Sequence, residues 1–260
     1  MWISDVILNN IQYFIIIFVR ILGIFILTPI FGTKTLPSIF KVGLAFFTTL
    51  ILMNFVQVNI DMNNIYQYTW IVFTEFVVGL LIGLASMIYF SAIYLAGQLI
   101  DYQLGFGIVN ILDLQSETQV PLMGNFIYII TLLLFLLING HHVLFIMLAK
   151  SYVLIPVGGI SFQLNNMNSI ITKIVSTMFI LGFRISFPII LATILSDLTL
   201  SIISRTIPQL NVFMVGMPLK IFIGIFTLFI MLPMYLSIID VLFNGMYADI
   251  FLLMKAMIKG

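Results

Sequence analysis

Apolar residues dominate six stretches of this chain, at residues 11–31, 42–58, 66–100, 121–149, 170–198 and 212–244. Short polar connections separate them: "GTKTLPSIFK" at Gly32–Lys41, "NIDMNNI" at Asn59–Ile65, "PVGGISFQLNNMN" at Pro156–Asn168 and "SIISRTIPQLN" at Ser201–Asn211. A helix needs about 20 apolar residues to cross a hydrocarbon core of about 30 Å. Five of the six stretches reach that length, and 42–58 is marginal. The pattern predicts an all-α fold, a polytopic membrane-type protein of about six long, kinked apolar helices or helical hairpins. The third and sixth stretches are too long for a simple span. From Trp70 to Ile100 the only charge is Glu75, and a straight helix over that run would be about 46 Å long. It must tilt, kink or project beyond the bilayer. Pro188 and Pro233 interrupt the last two stretches and predict kinks there.

The longest departure from this pattern is Asp101–Pro121, which follows the third stretch as "GQLIDYQLGFGIVN" from Gly97 to Asn110. An apolar helix runs into an aspartate, a glutamine and a Gly-Phe-Gly. On the same helix, "GLLIG" places Gly79 and Gly83 four residues apart, a spacing that lets helices approach closely in an apolar medium.

Composition sharpens the class. The 260 residues are 62% hydrophobic and 7% charged, against about 25% charged in a soluble domain. Such a chain cannot cover a water-facing surface, so it belongs in lipid or in a large apolar assembly. A net charge of +1 is too small for nucleic-acid binding by counterion release. With no cysteine, disulfides, thiolate metal sites and thiol nucleophiles are excluded. The start, "MWISDVILNN", has neither a positive n-region nor a small-residue cleavage site and reads as mature sequence. Lys150, Lys173, Lys255 and Lys259 on one side face Lys34, Lys41 and Arg205 on the other, so the positive-inside rule does not orient the chain.

Arg20, Glu75, Arg184, Lys220 and Asp240 fall inside apolar runs. A charge at the bilayer centre costs about 2.5–3.5 kcal/mol or more, so these residues must be paired, wetted or packed against protein. Contacts between subunits account for them with the fewest assumptions; a proton path would place its acids at helical spacing. Motifs for chemistry are sparse. His141 and His142 are adjacent, point to different helix faces and lack a neighbouring acid or cysteine. "GFGIVN" lacks the lysine and further glycine of a phosphate loop. The expectation is a non-enzymatic protein without metal or cofactor. Met214, Met217, Met231 and Met234 cluster late in the chain, where flexible side chains suit either core filling or a deformable seal.

Four stretches together resemble one family: "RILGIFILTPIFGTKTLPSIFKVGLA" at 20–45, "GQLIDYQLGFG" at 97–107, "NGHHVLF" at 139–145 and "SRTIPQLNVFMVGMPLKIFIG" at 204–224. The combination is similar to the FliR/SctT family of type III export-gate proteins and covers nearly the whole chain. One departure is Asp113-Leu114, where the family pattern has Asp-Pro. The resemblance implies a fusion of FliP-like and FliQ-like parts, here 1–165 and 166–260. It implies a partnership with five copies of FliP and four of FliQ in a helical gate, alongside FlhB and FlhA, in the bacterial inner membrane at the flagellar basal body. Unfolded export substrates would pass through the gate, and membrane lipid would surround it. The loop at 104–121 would face the pore and plug it with Gly105, Phe106, Gly107, Ile108, Val109, Ile111 and Leu112. Asp101 and Gln103 would anchor its base. Arg205, Pro208, Gln209 and Asn211 would form the tip of the FliQ-like hairpin, and Met214 and Met217 a possible seal. Two alternatives stay open: the same gate in a virulence injectisome, and a small-molecule membrane transporter.

Overall fold

The structure is a computed structural model that describes residues 2–32, 36–56, 64–106, 121–161, 164–207, 209 and 211–258. It is all-α. Among the described residues seven helices follow one another: α1 (Trp2–Leu27), α2 (Ser38–Leu52), α3 (Ile65–Leu104), α4 (Leu122–Leu137), α5 (Gly140–Leu154), α6 (Leu164–Thr206) and α7 (Val212–Ala256). Among the described residues the only β-type pairing is an isolated antiparallel bridge between Ile160 and Ile258. Among the described residues four helices are long and apolar enough to cross a membrane, over Asn10–Leu27, Ile65–Leu104, Asn166–Thr206 and Met214–Ala256. The 15 residues of α2 fall short of a span.

One apolar stretch is split in two. The stretch 121–149 reads as one apolar run but folds as α4 and α5, bent by 69° to each other. The break sits at Asn139, whose φ of 57° places it in the left-handed region. Asparagine tolerates that conformation better than other side-chain-bearing residues. The Asn139 N–H ends α4 by donating to the Leu136 carbonyl at 3.1 Å, and the Asn139 carbonyl accepts from His142 N–H at 2.9 Å to start α5. Pro188 lies inside α6, and Pro218 and Pro233 lie inside α7, with the helices continuing past them.

Three helices exceed the bilayer. The 40 residues of α3, 43 of α6 and 45 of α7 correspond to roughly 60–70 Å of helix, about twice a hydrocarbon core.

The chain divides into two compact units. One comprises Met1–Ile88, Leu136–Val175 and Gly245–Gly260; the other comprises Tyr89–Phe135 and Ser176–Asn244. In the first, α1 and the N-terminal part of α3 meet through glycines. A Cβ on Gly23 would stand 2.8 Å from the Phe76 carbonyl oxygen, and one on Gly83 2.9 Å from the Ile24 carbonyl oxygen. Ile16, Ile17, Ile21, Ile24 and Phe25 bury one face of α1. Phe25, Phe31 and Phe145 form a ring cluster with centroids 4.6–6.0 Å apart. In the second unit, Phe90, Phe135 and Phe243 meet with centroids 4.8–5.7 Å apart. There too, a Cβ on Gly97 would run into the backbone of Gly124. Lipid tails are as apolar as leucine, so close packing of this kind, rather than water exclusion, holds membrane helices together.

Candidate functional site

Two polar constructions stand out in this apolar molecule. The first is built on Arg20, which is fully buried. Its Nε donates to Glu75 Oε2 at 2.5 Å and its second amino nitrogen to the Ile155 carbonyl at 3.0 Å. The Ser151 hydroxyl lies 3.4 Å from the remaining nitrogen. The guanidinium stacks over the Tyr152 ring, 4.2 Å from its centroid, and the Tyr152 hydroxyl donates to the Ile17 carbonyl at 2.9 Å. Glu75 uses its other oxygen to accept from the Gly158 N–H at 3.1 Å. One guanidinium thereby joins α1, α3, the end of α5 and the turn that follows. A buried pair is tolerated only when its remaining donors and acceptors find partners, and here they do. Arg20 and Glu75 therefore satisfy each other inside the chain. They are 55 residues apart, and no local motif announces the pairing.

The second construction is the base of the loop after α3. Helix α3 ends in a glycine stop: the Phe106 N–H donates to the Asp101 carbonyl at 3.1 Å and the Gly105 N–H to the Tyr102 carbonyl at 3.3 Å. This six-to-one and five-to-two pattern is a Schellman motif, whose penultimate residue takes a left-handed conformation. Gly105 does so with φ of 84°. Its Cα faces Met217 of α7, whose methyl would stand 3.5 Å from an added Cβ. The buried Asp101 side chain reaches the start of α4. Both carboxylate oxygens accept from the Met123 N–H, at 3.0 and 3.2 Å. Met123 lies in the first turn of α4, where free N–H groups and the helix dipole favour an anion. The carboxylate thus ties the end of α3 to the start of α4. Gln103 is half-buried, with no side-chain hydrogen bond among the described residues. Phe106 is half-buried. Gly107, Ile108, Val109, Ile111 and Leu112 lie outside the described residues.

The other sequence-predicted residues are dispersed. Gly79 and Gly83 face α1 of the same chain. Lys220 on α7 pairs with Asp197 on α6 at 2.7 Å, and Arg184 and Asp240 are exposed. Arg205, Gln209 and Asn211 are exposed at the connection between α6 and α7, while Pro208 lies outside the described residues. Asn211 starts α7: its carbonyl accepts from Met214 and Val215 N–H at 3.0 and 3.2 Å, and its side-chain oxygen from Met214 N–H at 3.3 Å. Met214 is 75% exposed and Met217 half-buried. A further ion pair that the apolar runs did not single out joins Lys173 to the buried Asp249 at 2.6 Å. Ser151, Tyr152 and Gly158 were equally unmarked in the sequence; each contributes through the Arg20–Glu75 pair. His141 and His142 have ring centroids 6.2 Å apart, and among the described residues no three acidic or histidine side chains gather around a metal-sized space.

The exterior is the remaining feature. Along α6, Phe179, Phe183, Phe187, Leu191, Leu195, Leu198 and Ile202 are all exposed, spaced three or four residues apart over about 35 Å. Along α7, Phe222, Phe226, Phe229 and Ile230 are 58–67% exposed. Only 17% of the most apolar window of α7 is buried within the chain. A continuous apolar face of that size needs lipid or another protein against it.

Comparison with known proteins agrees with this picture. The family of bacterial export proteins, family 1, matches residues 11–246. The chain is similar to the flagellar biosynthetic protein FliR of Bacillus subtilis (strain 168), with 36% identity over 237 residues, 90% of either chain. It is also similar to FliR of Escherichia coli (strain K12), 26% identical over 228 residues and covering 88% of this chain and 87% of the other. The surface presentation of antigens protein SpaR of Shigella flexneri is 24% identical over 215 residues, 82% of either chain.

Proposed function

We propose a function from one premise: this chain belongs to the bacterial export proteins, family 1, as a relative of FliR. It is a membrane-embedded component of a type III export gate. On our reading it joins five FliP and four FliQ chains, with FlhB and FlhA nearby, in the inner membrane at the flagellar basal body. Together they enclose the conduit through which unfolded flagellar proteins leave the cytoplasm. Residues 1–165 act as the FliP-like part and 166–260 as the FliQ-like hairpin. The segment 104–121 is the plug. The chain contributes walls and a closure; energy comes from other components.

The single observation that carries the plug assignment is the loop base. A Schellman stop at Gly105 and an Asp101 carboxylate on the Met123 N–H tie the end of α3 to the start of α4. The apolar residues Ile108, Val109, Ile111 and Leu112 that follow this base in the sequence suit closure by dewetting. Arg184, Asp240 and the exposed faces of α6 and α7 then meet neighbouring subunits. Met214 and Met217 supply a pliable lining near the plug's base.

Deleting 105–112 tests this. The shortened chain should still assemble with its partners while cells expressing it leak ions, read as membrane depolarisation. Normal assembly with no added conductance rejects the plug. The likeness to SpaR favours a second reading, an export gate of the virulence type; the higher identity to FliR makes the flagellar reading the stronger one. Restoration of swimming in a FliR-deficient strain separates the two.

A further inference from the structure

A cavity of 640 Å³ opens on the first compact unit where α2 and α5 both end. Leu52, Phe55 and Val56 line one side, held by a turn in which Phe55 and Val56 N–H groups donate to the Leu52 carbonyl at 2.9 and 3.0 Å. Ile146, Lys150 and Val153 line the other, at positions that share one face of α5. Its mouth is open: Phe55 is 78% and Val153 81% exposed. The Tyr152 side of the cavity is rigid, because that residue is fixed by its bond to Ile17 and by the Arg20 guanidinium. The Lys150 ammonium has no carboxylate within ion-pair distance among the described residues.

Three features fit a place for this cavity at the edge of a bilayer. Helix α2 stops at Leu52 and α5 at Leu154. The chain that leaves α2 enters α3 with Tyr66 and Trp70 84% and 65% exposed, residue types that settle at headgroup level. Lys150 lies within the last turns of its helix, where a long cationic side chain reaches the interface. An apolar slot with a lysine at its edge matches an acyl chain attached to a negatively charged head.

We infer that this cavity is a binding site for an anionic phospholipid, with one acyl chain against Leu52, Val56 and Ile146 and the phosphate on Lys150. The inference does not depend on what the gate transports.

The test uses the full chain with its co-purifying partners, reconstituted in nanodiscs of phosphatidylcholine doped with phosphatidylglycerol. Bound lipid is read by native mass spectrometry. The wild type should hold phosphatidylglycerol about fivefold above its bulk share, the preference one surface lysine confers. K150Q should return the ratio to bulk, and K150R should keep the enrichment. A149F, which fills the slot and keeps the charge, should lower bound lipid of both kinds. K173Q, which removes a lysine elsewhere on the unit, should change nothing. Enrichment surviving K150Q, or unchanged lipid in A149F, overturns the site. A photo-crosslinker at Val153 that captures a neighbouring protein chain instead of lipid also overturns it, since the slot is then a subunit contact.

Discussion

At the scale of single residues, the Arg20–Glu75 pair is the most consequential contact. Removing one partner leaves a buried, uncompensated charge, which costs about 3–5 kcal/mol. Glu75→Ala should therefore sharply lower the thermal midpoint of the detergent-solubilised protein. The double variant Arg20→Met/Glu75→Leu, which removes both charges, should recover most of the loss. An E75A midpoint equal to wild type contradicts the assigned role. Gly105 makes a smaller, separable prediction. Gly105→Ala meets no steric obstacle, since its nearest neighbour would be at 3.5 Å, yet forces a side-chain-bearing residue to φ of 84°. The expected cost is about 1 kcal/mol, read as a modest drop in midpoint. The charges were visible in the sequence as anomalies within apolar runs, but their pairing was not. Arg20 finds Glu75 across 55 positions and the carbonyl of Ile155 across 135; a backbone acceptor carries no mark in the sequence. Asp101 shows the same limit, because its partner is the amide of Met123.

At the scale of elements, helix existence was legible because each apolar run far exceeds the needs of a turn or strand, whereas the 43 residues of α6 extend well beyond the run at 170–198. The overlong third and sixth runs became α3 and α7. The break at Asn139 was hidden by apolar residues on both sides, which hydropathy joins into one segment. Pro188 and Pro233 lie inside α6 and α7, which run on past them. Helix pairing was half legible. Gly79 and Gly83 marked a close approach, but the sequence could not say that the neighbour is α1. Replacing Gly83 with Leu would push a side chain into the Ile24 carbonyl, 2.9 Å from the Cβ alone. Helices α1 and α3 should separate, and limited proteolysis should cut α1 faster than in wild type; unchanged cleavage would show that the contact is dispensable. Asp101→Ala removes the cap on α4 and the tie across the loop. A cost of about 1 kcal/mol is expected, together with a partial ion leak that Gln103→Ala does not produce.

At the scale of the whole molecule, the apolar exterior decides the argument. A chain that is 7% charged announced a non-aqueous environment from composition alone. The structure adds that the exposed apolar residues on α6 and α7 form stripes, on helices about twice as long as a bilayer core is thick. Lipid alone covers about 30 Å of such a stripe; the remainder calls for protein. Membership of the export family names the kind of protein, and the gate assembly is the reading that follows. The most direct test is a density map of the complex captured by a tag on this chain in mild detergent. The account predicts FliP-like and FliQ-like subunits packed on the outer faces of α6 and α7, with residues 104–121 on the axis of a central conduit. A solitary chain ringed by detergent, with that segment far from any channel, would contradict it.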